Sequence, residues 1–451
     1  MKLSIKQTIM IGLAFGSICL FWEAYNNLMP LMLDTFGLNK VVIGLIMAAD
    51  AILALFVMPL MGLLSDRART KWGRRVPFIV AGSVFAAVTF LLINLAFNLN
   101  ILWLFIALPL LLVFAMCCYR TPAVSLMPDV TPKPLRSKGN AVINIMGLIG
   151  GVIFLVLSLP VFGLIKTEKI NEHLVNEKLI LTGNNWLIVG AVSVLMVISA
   201  VVVFMKVKEP RLVEEREKAE KEAGIYEETP VREKRGNIFS NIAYNFKQLS
   251  KPQRVSLIFL LVSVFLWYFS YNAAKTWFST ISLQLLNDPD FSTPLLLANV
   301  AGFAMYIPSA IIGNKIGRRN TVMLGLFLMA VGFFTASMVI FNSASLSPGF
   351  FKFSFMMVFV FVGAGWATLN VHSYVMSVEM ADKSNTGFFT GLYYIFTMSA
   401  MALTPIISGA LMETKLGMEI LFPYSLVFAV LPMGTMLFVK HGNAKKIESN
   451  K

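Results

Sequence analysis

The chain has 451 residues, of which 57% are hydrophobic and 14% charged. A soluble domain carries roughly a quarter of its residues as charge and could not hide this much apolar sequence in its core, so the surplus, 37 Phe included, has to face lipid. The net charge of +14 sits in short segments between apolar runs, the pattern of loops held at a cytoplasmic face, and nucleic acid is excluded as a partner.

Lys2 and Lys6 precede a first apolar run, 8–33, too long for a signal-peptide core and followed by many more such runs, so it predicts a transmembrane helix. About 20 apolar residues cross the hydrocarbon core. By that measure the first half holds spans at 8–33, 41–64, 77–97, 102–126, 141–164 and 186–205. The second half holds spans at 256–276, 292–313, 321–341, 352–376, 388–411 and 420–439. The expected fold is an all-α integral membrane protein of twelve transmembrane helices in two pseudo-symmetric six-helix bundles, 1–206 and 253–440. A charged linker, 207–252, joins them, and a tail, 441–451, follows. Cys19, Cys117 and Cys118 lie inside apolar runs and have neither disulfide nor metal-ligand spacing.

Loop charges set the expected orientation. Arg67, Arg69, Lys71, Arg74 and Arg75 follow the second span, Lys133, Arg136 and Lys138 the fourth, and Lys315, Arg318 and Arg319 the eighth. The tail adds Lys440, Lys445, Lys446 and Lys451, whereas the 97–101 and 342–351 loops carry no charge and 281–291 has only Asp288 and Asp290. Both termini are therefore expected in the cytoplasm of a multi-pass protein of the cell (plasma or inner) membrane. The 163–185 loop is balanced and argues neither way. The linker is dense in mixed charge; Glu214–Lys218 and Glu217–Lys221 favour a helical stretch, within what reads by default as a solvated tether, with a regulatory role as the alternative.

The halves repeat. The loop after the second span, 62-GLLSDRARTKWGRRVPF-78, and that after the eighth, 310-AIIGNKIGRRNTV-322, both end in Gly-Arg-Arg. The loops 128-PDVTPKPLRSKGNA-141 and 378-VEMADKSNTGFF-389 form a second pair. A duplicated six-helix unit accounts for both, and internal repeats are a common transporter plan. Arginines at these positions can pair with Asp66 or with carbonyls at helix C-termini, forming contacts that latch one side and break when it opens. The expected cytoplasmic gate is Gly62, Asp66, Arg67, Gly73, Arg74, Arg75, Asp129, Arg136, Arg318, Arg319 and Glu379.

The Gly62-x-x-x-Asp66-Arg67…Gly73-Arg74-Arg75 pattern resembles the signature of the major facilitator superfamily, with a longer stretch than usual between Arg67 and Gly73. Its form here, Ser65-Asp66-Arg67 with Gly73-Arg74-Arg75-Val76-Pro77-Phe78, is similar to the sucrose:proton symporters of plants and their relatives among the glycoside–pentoside–hexuronide:cation symporters. Pro122 and Asp129, followed by Arg136 and Asn140, resemble the same group. The resemblance implies cation-coupled sugar symport. The plant carriers have an acid in the fourth span where this chain has Val113, so a coupling carboxylate has to lie elsewhere.

Ionisable groups at membrane depth cost several kcal/mol and call for a reason. Glu23 lies near the middle of the first span, with Asn26 and Asn27 one turn on, and Asp50 lies near the middle of the second. Each reads either as a coupling group or as a structural hydrogen-bond anchor. Arg120, late in the fourth span, can pair with either acid, bind a substrate hydroxyl, or snorkel to the surface. Glu23, Asp50 and Arg120 are the expected proton-coupling set. The seventh span, 267-WYFSYNAAKTWF-278, mixes aromatic faces with amides and hydroxyls, the combination a sugar requires. Trp267, Tyr268, Tyr271 and Asn272 are candidates there, with Lys275 and Trp277 assigned to an outer interfacial belt. The tenth span adds Trp366, Asn370, His372 and Tyr374, with helix packing as the plainer reading of His372, and Tyr393 and Tyr394 in the eleventh are weaker candidates. With Asn26 and Asn27 these form the expected substrate site.

The expected function is secondary active transport, proton-coupled symport of a neutral sugar by a chain sufficient as a monomer. The alternatives are a proton-coupled exporter of amphipathic compounds and a non-transporting membrane sensor or scaffold. No metal-ligand spacing or nucleotide-binding motif suggests an enzyme, and no cofactor is expected beyond the coupling ion. Sodium would need several converging oxygens, and Ile46 and Ala54, one turn either side of Asp50, supply none, so H+ is favoured.

Overall fold

The computed structural model describes residues 4–172, 176–181, 185–223, 249–342, 345–380 and 386–441. Among them, twelve helices are long and apolar enough to cross a membrane. The first six are α1 (Ile5–Thr35), α2 (Lys40–Arg67), α3 (Val76–Asn98), α4 (Leu102–Val130), α5 (Arg136–Leu157) and α6 (Trp186–Lys206). A further helix, α7 (Glu209–Glu222), precedes α8 (Lys251–Gln284), α9 (Ser292–Ile316), α10 (Arg318–Phe341), α11 (Pro348–Glu379), α12 (Thr386–Met412) and α13 (Leu421–Met436). Linker residues 224–248, loop residues 381–385 and the tail from 442 lie outside the described residues.

Local chemistry sets the helix ends. Asn39 caps α2, its side chain accepting from the Val42 amide at 2.9 Å. Proline in the first turn opens α3, where a missing N–H costs nothing. Pro109, Pro122 and Pro128 all lie inside α4. Neighbouring side chains re-satisfy backbone in such helices. Thr121 next to Pro122 reaches across to the Met58 carbonyl of α2 at 3.2 Å.

The chain divides into two compact units, one of Met1–Thr229 with Phe278–Ser292 and one of Pro230–Trp277 with Thr293–Lys451. In the first, α1 packs along α5, and α3 lies between α4 and α6. The α1–α5 approach explains the glycine run at 147–151: a Cβ on Gly150 would run into the Gly16 carbonyl oxygen. Small residues let membrane helices pack backbone to backbone. In the second unit α10 packs against α11 and α13.

Four features depart from the expectations. The start of the linker is no solvated tether: α7 packs on α4, with Glu209 1% and Glu220 3% exposed, because Glu209 takes backbone amides at the start of α3 and Arg216 reaches the Asp129 carbonyl. The 163–185 loop contains an antiparallel hairpin, β1 (Thr167–Glu172) and β2 (Asn176–Leu181), in register from Thr167↔Leu181 to Glu172↔Asn176. Trp277 is no interfacial anchor; it is fully buried in the second unit, its indole N–H donating to Ser408 Oγ at 2.9 Å. The seventh span also runs on to Gln284, past the apolar window, because its polar end is buried: Ser279 donates to the Asn27 carbonyl at 2.9 Å. Gln284 meets Asp34 and Lys40 in one polar cluster of the first unit.

Candidate functional site

The turn between α2 and α3 carries a dense charge network in the first unit. Gly73 has φ +107°, a conformation that side-chain-bearing residues avoid, and a Cβ there would also collide with the Glu209 carboxylate. The chain then turns so that Arg75 Nε donates to Asp129 Oδ2 at 2.8 Å, while its other nitrogens reach Asp66 and Ser65. Arg74 Nη2 lies 3.3 Å from the same Asp129 oxygen. Arg75 is buried, which separates this network from exposed ion pairs of little energetic weight. Burial works against the Arg75 charge, but Asp129 and Asp66 outweigh it and hold its pKa above the ordinary arginine value.

Other residues of the predicted gate take simpler places. Gly62 lies beside Thr121, Arg67 sits in the last turn of α2 where positive charge is favoured, and Arg136 Nε donates to the Thr131 carbonyl at 3.2 Å. In the second unit Arg318 pairs with Glu379. Arg319 instead donates to the Met436 and Leu437 carbonyls, at 2.9 and 3.0 Å.

Two residues the sequence did not single out complete the network. The amides of Arg74, Arg75 and Val76 donate to the Glu209 carboxylate at 2.9, 2.8 and 3.0 Å, so one acid satisfies donors that α3 itself cannot. Arg216, also on α7, donates to the Asp129 carbonyl at 2.9 Å.

At membrane depth in the first unit, Asp50 is half-buried, with Oδ1 accepting from the Ala51 amide at 2.6 Å. The charge of Arg120, on α4, acts on this carboxylate, and Tyr25 and Cys117 lie within its electrostatic reach. Glu23 is buried beside Gly151 of α5. Because Glu23 and Tyr25 are two residues apart, about 200° round the helix, the first faces α5 while the second faces Asp50. Asp50 thus lies within electrostatic reach of Arg120, with Glu23 on another side of α1. Asn27 donates to its own helix at the Glu23 carbonyl, 2.8 Å, and its Oδ1 has no hydrogen-bond partner among the described residues. Asn26 is half-buried.

The second unit gathers aromatic rings edged with hydroxyls. Tyr271 stacks on Trp366, centroids 5.5 Å apart and planes 26° from parallel. Tyr374 meets Tyr393 edge-on at 5.4 Å, and their hydroxyls pair with Thr390 and Ser373 at 3.2 and 2.9 Å. Tyr268 lies within electrostatic reach of Tyr393 and Tyr271. Asn370 donates to the Trp366 carbonyl at 3.0 Å, which leaves its amide oxygen and second N–H for other partners, and Asn272 Nδ2 is buried without a partner among the described residues. Two predicted ligands sit differently. Trp267 has no exposed surface and backs Tyr268 at 4.1 Å. His372 is buried against Gly313 of α9, its Nε2 within 3.1 Å of Ser309 Oγ, a packing position. Tyr393, a weaker candidate from sequence, is at the centre of the cluster, and Tyr306 lies within electrostatic reach of Tyr271.

The model of the family described as MFS/sugar transport protein matches residues 9–420, almost the whole helical body. The chain belongs to this family. Solved structures share the fold over nearly its full length: a mutant form of the nucleoside transporter NupG has a TM-score of 0.69 at 14% identity, covering 96% of this chain and 100% of that one. The inward-open xylose transporter XylE from E. coli has a TM-score of 0.62 at 13% identity, covering 98% and 97%. At such identities the likeness shows the fold alone. By sequence, the chain is 21% identical over 315 residues to the isoprimeverose transporter of Lactiplantibacillus pentosus, covering 66% of this chain and 57% of that protein. It is 28% identical over 98 residues to sucrose transport protein SUT1 of Oryza sativa subsp. japonica, 22% of this chain and 18% of that one. The matches thus span a little over half of the first relative and under a fifth of the second. These relatives and structural neighbours are transporters.

Proposed function

We propose that the chain is a secondary active transporter that couples inward movement of H+ to symport of a neutral sugar, a disaccharide or related glycoside, by alternating access. It would work as a monomer, both termini in the cytoplasm. The observation that carries the sugar reading is the second unit's aromatic residues: the Tyr271–Trp366 stack offers an apolar face for the C–H surface of a sugar, the Asn370 amide lies one turn from Trp366, and Tyr268, Tyr374 and Tyr393 add hydroxyls in the same unit. Partial similarity to isoprimeverose and sucrose transporters supports it.

The proton reading rests on the first unit. A lone ionised carboxylate at membrane depth is costly. Asp50 escapes that cost in two ways, by taking up a proton or by facing the Arg120 charge. Protonation of Asp50 releases Arg120 for a substrate hydroxyl, and departure of the substrate returns Arg120 to the carboxylate and expels the proton. Glu23 would tune this exchange from the α5 side.

A thermal-shift screen of the purified protein against mono- and disaccharides at two pH values tests the sugar reading. Ligand at about a hundred times its Kd stabilises by about 2.7 kcal/mol, a readily measured shift. A shift with a glycoside, larger at the lower pH, is expected; shifts confined to amphipathic cations would favour an exporter.

The α2–α3 network is proposed as the cytoplasmic gate. Asp66→Asn removes one of the two carboxylates facing Arg75 and is expected to slow turnover and shift the population inward-open, with equilibrium binding unchanged within a few-fold. Single-cysteine accessibility from each side checks this; wild-type labelling and turnover would remove Asp66 from the gate. Asn314 holds the corresponding place in the second half, and its substitution should matter less.

A further inference from the structure

We propose that α7 is a working part of this gate and that Glu209 is the positioning residue through which it acts, an inference that rests on reading the α2–α3 network as a gate. Glu209 takes three consecutive amides at the start of α3, including that of Arg75. About two turns further along the same helix, Arg216 takes the carbonyl of Asp129, with Glu217 and Glu220 paired to it at 3.0 and 3.8 Å. Arg75 and Asp129 are the two sides of the central ion pair. A single helix of 14 residues therefore holds both partners by their backbones, Arg75 through its N–H and Asp129 through its C=O. Moving the two backbones apart breaks one of these holds, so an opening that separates the start of α3 from the end of α4 has to displace α7.

Gly73 fits the same scheme. It leaves room for the Glu209 carboxylate where any side chain would intrude, which ties the Gly-Arg-Arg motif to a residue in the linker. The second unit makes the corresponding tie by other chemistry, with Arg319 at the start of α10 donating to carbonyls at the end of α13. In both units the exit of the last span is fastened to the entry of the third. In the first unit that fastening passes through the linker, which is thereby coupled to the gate.

The test is amide hydrogen exchange on the full-length protein, read at Arg74, Arg75 and Val76 and along α7, beside uptake of radiolabelled sucrose by proteoliposomes. Glu209→Gln is expected to speed exchange at the three amides and along α7 by about tenfold or more. Asp129→Asn should also speed exchange along α7, because a coupling between two sites is reciprocal. Glu215→Gln, whose pairing with Arg211 is exposed, should change neither. Sucrose uptake should fall about tenfold in Glu209→Gln, and adding Asp129→Asn should lower it by less than about twofold more, as for residues acting as one unit. Protected amides in Glu209→Gln, or unaltered α7 exchange in Asp129→Asn, would overturn the proposal, as would uptake losses that multiply. Exchange needs no transport, so a wild-type protein that takes up no sucrose counts against the sugar reading alone, and the exchange result still decides the role of α7. If Glu209→Gln does not fold, Glu209→Asp, which withdraws the carboxylate by one methylene, gives the same comparison with the same two outcomes.

Discussion

Asp50→Asn is expected to abolish proton-driven sugar accumulation while leaving sugar exchange and downhill flux measurable. Asparagine keeps the size and a hydrogen-bonding oxygen, so the contact with the Ala51 amide survives. What it loses is the capacity to alternate between a neutral and a charged form opposite Arg120. The binding step needs only one of those forms, whereas coupling needs both. Uptake against a gradient should therefore fall to the equilibrium level, with counterflow within several-fold of wild type. Glu23→Gln should have a smaller effect, because Glu23 faces α5 and lies on a different side of α1 from Tyr25 and Asp50. Full accumulation by Asp50→Asn in proteoliposomes would remove this residue from the coupling mechanism.

Loss of the aromatic platform is expected to have the next largest effect, on affinity. Trp366→Ala deletes one face of the Tyr271 stack, and Asn370→Ala deletes an amide with spare hydrogen-bonding capacity. A hydroxyl left without its partner in a dry site costs about 1–3 kcal/mol, so Asn370→Ala should weaken sugar binding roughly tenfold. Trp366→Ala should weaken it at least as much, since it also takes away apolar contact area. Tyr374→Phe, which keeps the ring and loses only the hydroxyl facing Thr390, should cost less. Isothermal titration calorimetry with the sugar identified in the thermal screen measures all three. Wild-type affinity in both Trp366→Ala and Asn370→Ala would exclude this cluster from the binding site.

Much of the fold was legible because the bilayer imposes a simple length rule on each span. The ends were less so. The predicted seventh span stops at 276, where hydropathy falls, yet α8 continues to Gln284 because Ser279 and its neighbours are buried in the first unit. The arginines proposed as gate residues could be picked out from the repeated Gly-Arg-Arg, and Asp66, Asp129 and Glu379 from their positions at helix ends. Glu209 was not, because its partners are backbone amides distant in sequence, and backbone amides leave no trace in side-chain pattern. Trp277 looked like an interfacial anchor only because its acceptor, Ser408, belongs to a different span. For Glu23 and Asp50, depth was readable from sequence, but direction was not. Helix rotation within the bundle, fixed by packing of α1 on α5, decides which neighbour each acid meets.

The most direct measurement is sugar uptake by proteoliposomes containing the wild-type protein, with an inward proton gradient imposed and no sodium present. The expected result is transient accumulation of the sugar above its external concentration, collapsing when a protonophore dissipates the gradient. Uptake that requires sodium and ignores pH, or an absence of sugar movement in any gradient, would contradict proton-coupled sugar symport.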